Sequence, residues 1–390
     1  MTMRTIYFDH NATTPIDPAV REAMLPYFDE IWGNPSSIHH IGQRARAALD
    51  DARDRAAGLL QCKPSEVIFT SGGTESNNLA LFGAARLRKP KGRHLITSAV
   101  EHHAVLHGLD YLAQKEGFEV TRLPVDGEGR VALDDLGKAI RPDTTLVSIQ
   151  AANNEVGTIQ PVAALGALCR QRGVVFHTDA VQWFGKEPFA DIHQFNADLV
   201  SGCAHKFHGP KGAGFLFIRS PLLPDPILFG GGHENERRAG TENLAAIVGL
   251  VEAMERFVPE PVFSGIHLAP LTERLKTTLR RLPDTVLVGA QEGHLKNTVA
   301  FLVDGADSIA LLANLDLEGI CASSGSACSA GSLEPSHVIS ALGVAPNLAN
   351  SLVRFSLGRK NNQSEVDHVS QVLPSVLQRA KRVKGAGLNG

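Results

Sequence analysis

The run VVFHTDAVQ, residues 174–182, reads as an apolar strand that ends on a carboxylate, Asp179. A helix-like stretch, Val162–Arg172, precedes it, and the same alternation recurs outward in both directions. Strand-like runs lie at Val67–Thr70, Leu95–Ser98, Val120–Val125, Thr145–Ile149, Val174–Thr178, Leu199–Ser201 and Gly214–Ile218, with longer helical patterns between them. Such alternation marks an α/β fold. Most of these runs are apolar at both odd and even positions, as in a sheet covered by helices on both faces. A large, mostly parallel sheet is therefore predicted.

A helix-like stretch at Glu242–Phe257 runs into VPEPV, residues 258–262, whose two prolines end it. The boundary is placed there, with a large α/β domain over 15–262 and a smaller α+β domain over 263–384. Residues 1–14 are expected to associate with the smaller one. In it, Leu268, Leu271, Leu275, Leu279 and Leu282 recur at helical spacing. Strand-like Thr298–Val303 and Leu352–Ser356 follow, and a final helix carries Val366, Val369, Val372, Leu373 and Val376 on one side. The terminal GAGLNG, residues 385–390, matches the dinucleotide fingerprint in letters only, because that fingerprint acts between a strand and a helix.

Among 390 residues, 43% are hydrophobic, and 38 basic side chains face 41 acidic ones for a formal net charge of −3. No long run of one sign suggests a nucleic-acid groove or a membrane surface. The N-terminus carries no apolar leader pattern and no segment is apolar for the length of a bilayer, so a cytoplasmic protein acting on small molecules is expected. The five cysteines are scattered without CxxC or metal-ligand spacing, which argues against disulfide scaffolding and structural zinc. Cys62, Cys169 and Cys321 sit in apolar contexts and read as packed thiols. Cys328 differs: it lies in ASSGSACSAGSLEPS, residues 322–336, among small and polar neighbours that present a thiol instead of packing it.

Four constellations in the large domain fit one chemistry. In VIFTSGGTESNN, residues 67–78, a strand enters a Ser/Gly/Thr turn that opens a helix, where free N–H groups and the helix dipole suit a phosphate. Asp179 stands at the carboxyl end of its strand, the edge where parallel sheets bind ligands. In DLVSGCAHKFHGPKG, residues 198–212, a strand leads to Lys206, flanked by a histidine and a Gly/Pro turn, and lysine amines condense with carbonyl cofactors. In VEHHAV, residues 100–105, His102 follows a strand and could stack on an aromatic ring or move protons. An acid for a pyridinium nitrogen, an amine for an aldehyde and a phosphate cradle are what pyridoxal phosphate asks of a protein. The pairs His102/His103 and His205/His208 lack the spacing of an open metal site, and no metal is expected.

These residues sit in an order that resembles the pyridoxal-phosphate-dependent cysteine desulfurases, the NifS/IscS group of the class-V aminotransferase family. The resemblance runs through FDHNATTP (8–15), GNPS (33–36), TSGGTES (70–76), NNE (153–155), His205-Lys206, RAGT (238–241), the cysteine loop and RFSLGR (354–359). It implies the aspartate-aminotransferase-like architecture, fold type I, working as a homodimer with active sites at the interface. It also implies conversion of L-cysteine to L-alanine, with sulfur passing to Cys328 as a persulfide and on to an acceptor such as an iron–sulfur scaffold protein. By the same resemblance Lys206 is the Schiff-base lysine and the base at Cα. Asp179 pairs the ring nitrogen, Gln182 donates to the ring hydroxyl, and His102 stacks on the ring. Gly73, Thr74, His205 and, from the other subunit, Thr241 hold the phosphate, while Asn34, Asn154 and Arg354 hold the substrate. Cys203 stands where many relatives carry a phosphate-contacting serine, and a thiol is the weaker donor. The scaffold also serves selenocysteine lyases, other β-lyases and aminotransferases, and could serve a non-catalytic partner of a sulfur-transfer complex; Lys206, Asp179 and Cys328 favour the desulfurase.

Overall fold

Alternate residues along each central strand feed two different apolar layers, and this division organises the larger part of the molecule. The computed structural model describes residues 5–263, 265–325 and 335–384. Its strands, in chain order, are β1 (Ile6–Tyr7), β2 (Val67–Thr70), β3 (His94–Ser98), β4 (Glu119–Leu123), β5 (Thr144–Ser148), β6 (Val175–Asp179), β7 (Leu199–Cys203), β8 (Gly214–Ile218), β9 (Thr285–Val288), β10 (Thr298–Val303), β11 (Ile320–Cys321) and β12 (Val353–Ser356). Phe69, Ile96, Val147, Phe176, Val200 and Phe215 face one layer. Their neighbours Ile68, Leu95, Leu146, Val175, Leu199 and Leu216 face the other. Successive side chains of a strand point to opposite faces, so apolar runs without alternation require cover on both sides. The helix His40–Leu60 supplies Ala45, Leu49 and Ala52 to the first layer. Gly73–Arg88 and His103–Glu116 supply Leu79, Leu81, Val105 and Leu109 to the second.

The seven strands are ordered β2-β8-β7-β6-β5-β3-β4. From β7 to β4 all pairings are parallel, and β8 runs antiparallel to both its neighbours. All seven predicted strands are present. The third of them, β4, ends at Leu123 instead of Val125 because Pro124 has no N–H to give a ladder. β4 is one of the two edge strands, and its Glu119 and Arg122 are exposed, which blunts an open edge. The helix expected from Glu242 starts at Leu244, because the Asn243 side chain accepts from the Ala246 amide and caps it there.

A second core gathers Leu268, Leu271, Leu275 and Leu279 of the helix Gly265–Arg280 with Phe301, Phe355, Val366, Val369 and Leu373. Its sheet is antiparallel, in the order β12-β10-β9. Ile6 and Phe8 belong to this core, and β1 pairs in parallel with β11. Val262 packs against both cores, and Phe263 is buried in the second. The Gly-rich residues 385–390 and Cys328 lie outside the described residues.

Candidate active site

The carboxyl ends of the parallel strands meet at one edge, and the loops leaving them enclose a cavity of about 220 Å³. β6 delivers Asp179, and β7 delivers Cys203 and, through the short turn Ala204–Lys206, His205 and Lys206. β5 delivers Gln150, and β3 leads to His102, the cap of the following helix. β2 opens into the helix Gly73–Arg88, whose N-cap Gly72 (φ 151°) offers no side chain to its first-turn amides. The start of that helix lies close to the strand ends: a Cβ on Gly73 would fall 2.6 Å from Val181 Cγ2. Arg354, from β12, and Asn11 with Ala12, from the N-terminal segment, close the cavity from the other side.

Lys206 Nζ donates to the carbonyls of Asn11 (2.7 Å) and Ala12 (2.8 Å). Burial is the main cause holding this amine below its ordinary pKa, which raises the share of free amine. Asp179 Oδ2 accepts from Asn77 Nδ2 at 2.6 Å and Oδ1 from the Val181 amide at 3.0 Å. His102 Nδ1 accepts the Ala104 amide at 3.1 Å, so the neutral ring carries its proton on Nε2. Burial lowers its pKa, against the opposing pull of Asp179. His205 is pushed down to about 4 by burial and then by Lys206, and its Nδ1 meets Thr13 Oγ1 at 3.2 Å. Burial pushes the Cys203 thiol up to about 11 against the charge of Lys206; a neutral thiol is what stands beside the Gly73 turn.

Arg354 is 1% exposed. Its Nη2 pairs with Asp9 at 2.6 Å, and its Nη1 donates to the carbonyls of Asn154 (2.9 Å) and Gly325 (2.8 Å). Among the described residues its Nε has no partner. A buried guanidinium at the wall of a cavity suits a carboxylate ligand.

The structure therefore brings together Gly73, Thr74, His102, Asn154, Asp179, Gln182, Cys203, His205, Lys206 and Arg354. Asn34 is exposed, its Oδ1 accepting from the Ser36 amide, and Thr241 is exposed on the segment before Leu244–Phe257; neither lines the cavity within one chain. The sequence reading passed over Asn11, Asn77 and Gln150. Gln150 carried a usable signal, a polar residue directly after an apolar strand, as Asp179 did. Among the other histidines, His208 stacks on Phe263 and His103 on His107. Among the described residues no cluster of three or more His, Cys, Asp or Glu could hold a metal ion, and no helix is long and apolar enough to cross a membrane.

Behind His102, Glu101 is fully buried, with Oε1 accepting from Ser98 Oγ (2.5 Å) and both oxygens accepting from the Gln150 amide. Burial pushes its carboxyl up from 4.5 to about 8. Between those values the folded chain holds a proton that the unfolded chain has released, so stability falls as pH rises through that window. In thermal melting from pH 5 to 8.5 the wild type is expected to lose stability with rising pH relative to Glu101→Gln, which has no proton to lose. Equal slopes would show that Glu101 is ionised in the fold.

A lysine and an aspartate at the ends of adjacent parallel strands thus stand across one cavity from an uncapped helix and a buried arginine. The chain belongs to the class-V aminotransferase family, whose description matches residues 6–369. It is 46% identical over 380 residues to the cysteine desulfurase IscS of Methanosarcina thermophila, covering 97% of this chain and 94% of that protein. Among solved structures, a NifS-like protein superposes with a TM-score of 0.87 at 37% identity, covering 98% of this chain and all of that one. SspA in complex with cysteine gives a TM-score of 0.79 at 34% identity, over 92% of this chain and all of that one. The architecture is fold type I, as the sequence implied.

Proposed function

We propose that the chain is a cysteine desulfurase, converting L-cysteine to L-alanine and taking the sulfur on Cys328 as a persulfide. The observation that carries this reading is the convergence of Lys206, Asp179 and Arg354 on one cavity, in a chain whose sequence also holds SSGSACSAG, residues 323–331. That one solved relative is described in complex with cysteine supports the choice of substrate.

The donor set fits pyridoxal 5′-phosphate. The amides of the uncapped helix start at Gly73 and Thr74, with His205 and Cys203 beside them, suit its phosphate, and the Asp179 carboxylate, which lines the cavity, would accept a ring N–H. Lys206 supplies the amine for its aldehyde, and Gln182 a donor for its ring oxygen. His102 would lie against the ring. Bound there, the cofactor supplies an electron sink for charge that develops at the substrate Cα.

The remaining work falls to the chain. Arg354 would receive the substrate carboxylate with the help of Asn154, and Asn34 would complete the grip. The Lys206 amine would take the Cα proton, a role its depressed basicity suits. Cys328, as thiolate, would bond to the substrate sulfur as the Cβ–S bond breaks, and the three-carbon product would leave, once protonated, as L-alanine. The persulfide would then pass to an acceptor protein such as an iron–sulfur scaffold. A second copy of the chain would bring Thr241 to the phosphate, which accounts for its position on the surface of a single copy; we place this homodimer in the cytoplasm. The reading is tested by incubating purified protein with L-cysteine and a thiol reductant. Equal yields of sulfide and alanine support it; pyruvate and ammonia would replace it with a β-lyase.

A further inference from the structure

Lys186 lies behind the cavity, 4% exposed, on the turn that follows Gln182. Its Nζ donates to Asn11 Oδ1 at 2.6 Å and to Gln182 Oε1, and sits 5.2 Å from the centre of the Phe263 ring. Both acceptors are neutral amide oxygens. Its charged and titratable neighbours are Lys206, Arg354, Cys203, Glu187 and His10. Burial, then the charges of Lys206 and Arg354, hold its pKa well below the ordinary value. An apolar side chain would avoid the desolvation that a lysine suffers here, so its hydrogen bonds call for a role.

The bonding pattern supplies one. Gln182 Nε2 donates to the Asn11 carbonyl at 3.0 Å, the same oxygen that accepts Lys206 Nζ. A carbonyl accepts only, which sets the amino end of the Gln182 amide there and its oxygen toward Lys186. Asn11 is set in the same way: its Nδ2 donates to the Asn154 carbonyl and its Oδ1 accepts from both Lys186 and Asn297. Lys186 has at least two N–H groups whether charged or neutral, so both amides are held in either state. A donor on an amide oxygen also polarises the amide and strengthens its N–H groups as donors. We propose that Lys186 is a positioning residue that locks the Gln182 amide with its amino group toward the cavity and strengthens it as a donor to the ring oxygen of the cofactor. The inference rests on the pyridoxal phosphate reading of the site.

The test uses the full chain loaded with pyridoxal 5′-phosphate and follows its visible absorbance against pH. Without the polarised donor, negative charge on the ring oxygen is less stabilised and the chromophore holds its proton to higher pH. In Lys186→Met the midpoint is expected to rise by about one unit, a tenfold change in the equilibrium, with kcat lowered and the KM for L-cysteine little changed. Lys186→Arg, which keeps donors, should return the midpoint toward the wild type. In a Gln182→Ala background, Lys186→Met should add no further shift. A Met variant that titrates with the wild type, or a shift that persists in full without Gln182, overturns the inference. Should the Met variant fail to fold, Lys186→Gln, too short to reach either oxygen, is read by the same criteria. A wild-type chain that binds no pyridoxal phosphate overturns the site reading together with this inference, whereas a titrating wild type with an unshifted variant overturns the inference alone.

Discussion

Lys206→Ala is expected to lower sulfide release from L-cysteine by at least ~10³-fold, since one group supplies both the covalent hold on the cofactor and the proton transfer at Cα, and positioned acid–base groups alone contribute roughly 10²–10⁴-fold. The fold should survive. Lys206 donates to two backbone carbonyls, Asn11 and Ala12. Losing its amine costs about 1–3 kcal/mol for each group left unsatisfied, less where water enters the space vacated beside the cavity. Circular dichroism should therefore match the wild type, while the visible band of lysine-bound pyridoxal disappears. A variant that keeps both the band and the turnover would remove Lys206 from the mechanism.

Cys328→Ala is expected to separate cofactor chemistry from sulfur transfer. The cavity that would hold the cofactor is built from Lys206, Asp179, His102 and the Gly73 turn, all on the large sheet and its loops. The visible spectrum should therefore remain, and L-cysteine should still perturb it. Sulfide release should fall to background, because no other cysteine can stand in. Cys203 and Cys169 are buried, with thiols pushed up to about 11 and about 12, and Cys62 is likewise pushed up to about 12. Cys321 is partly exposed, but burial raises its pKa too and keeps its thiolate scarce. Full sulfide production by the variant would end the desulfurase reading, since sulfur would then be leaving without a persulfide on Cys328.

Both expectations begin with residues visible in the linear chain, and the reason is positional. Asp179 and Lys206 follow apolar strands, and a polar group at the carboxyl end of a buried parallel strand has one place to go, the ligand edge of the sheet. The strands were visible for a related reason: in β6, β7 and β8 every residue is buried, so apolar side chains occupy both parities. That pattern belongs to a sheet covered on both faces, whatever the order of its strands.

Strand order itself, and the reversal of β8 between β2 and β7, were not in the pattern, because a buried strand shows the same composition whichever way it runs. Lys206 finds its acceptors 195 and 194 positions away, at Asn11 and Ala12, and Arg354 meets Asp9 across 345. Lys186 stands in WFGKEPFAD, where a lysine looks like a surface residue, until Phe263 of the second core covers it. Local sequence determined which segments are strands and which strand ends carry the polar side chains that line the cavity. Tertiary structure alone decided which distant oxygens hold each nitrogen, because hydrogen-bond partners are set by the path of the chain through space, and that path depends on packing summed over the whole fold.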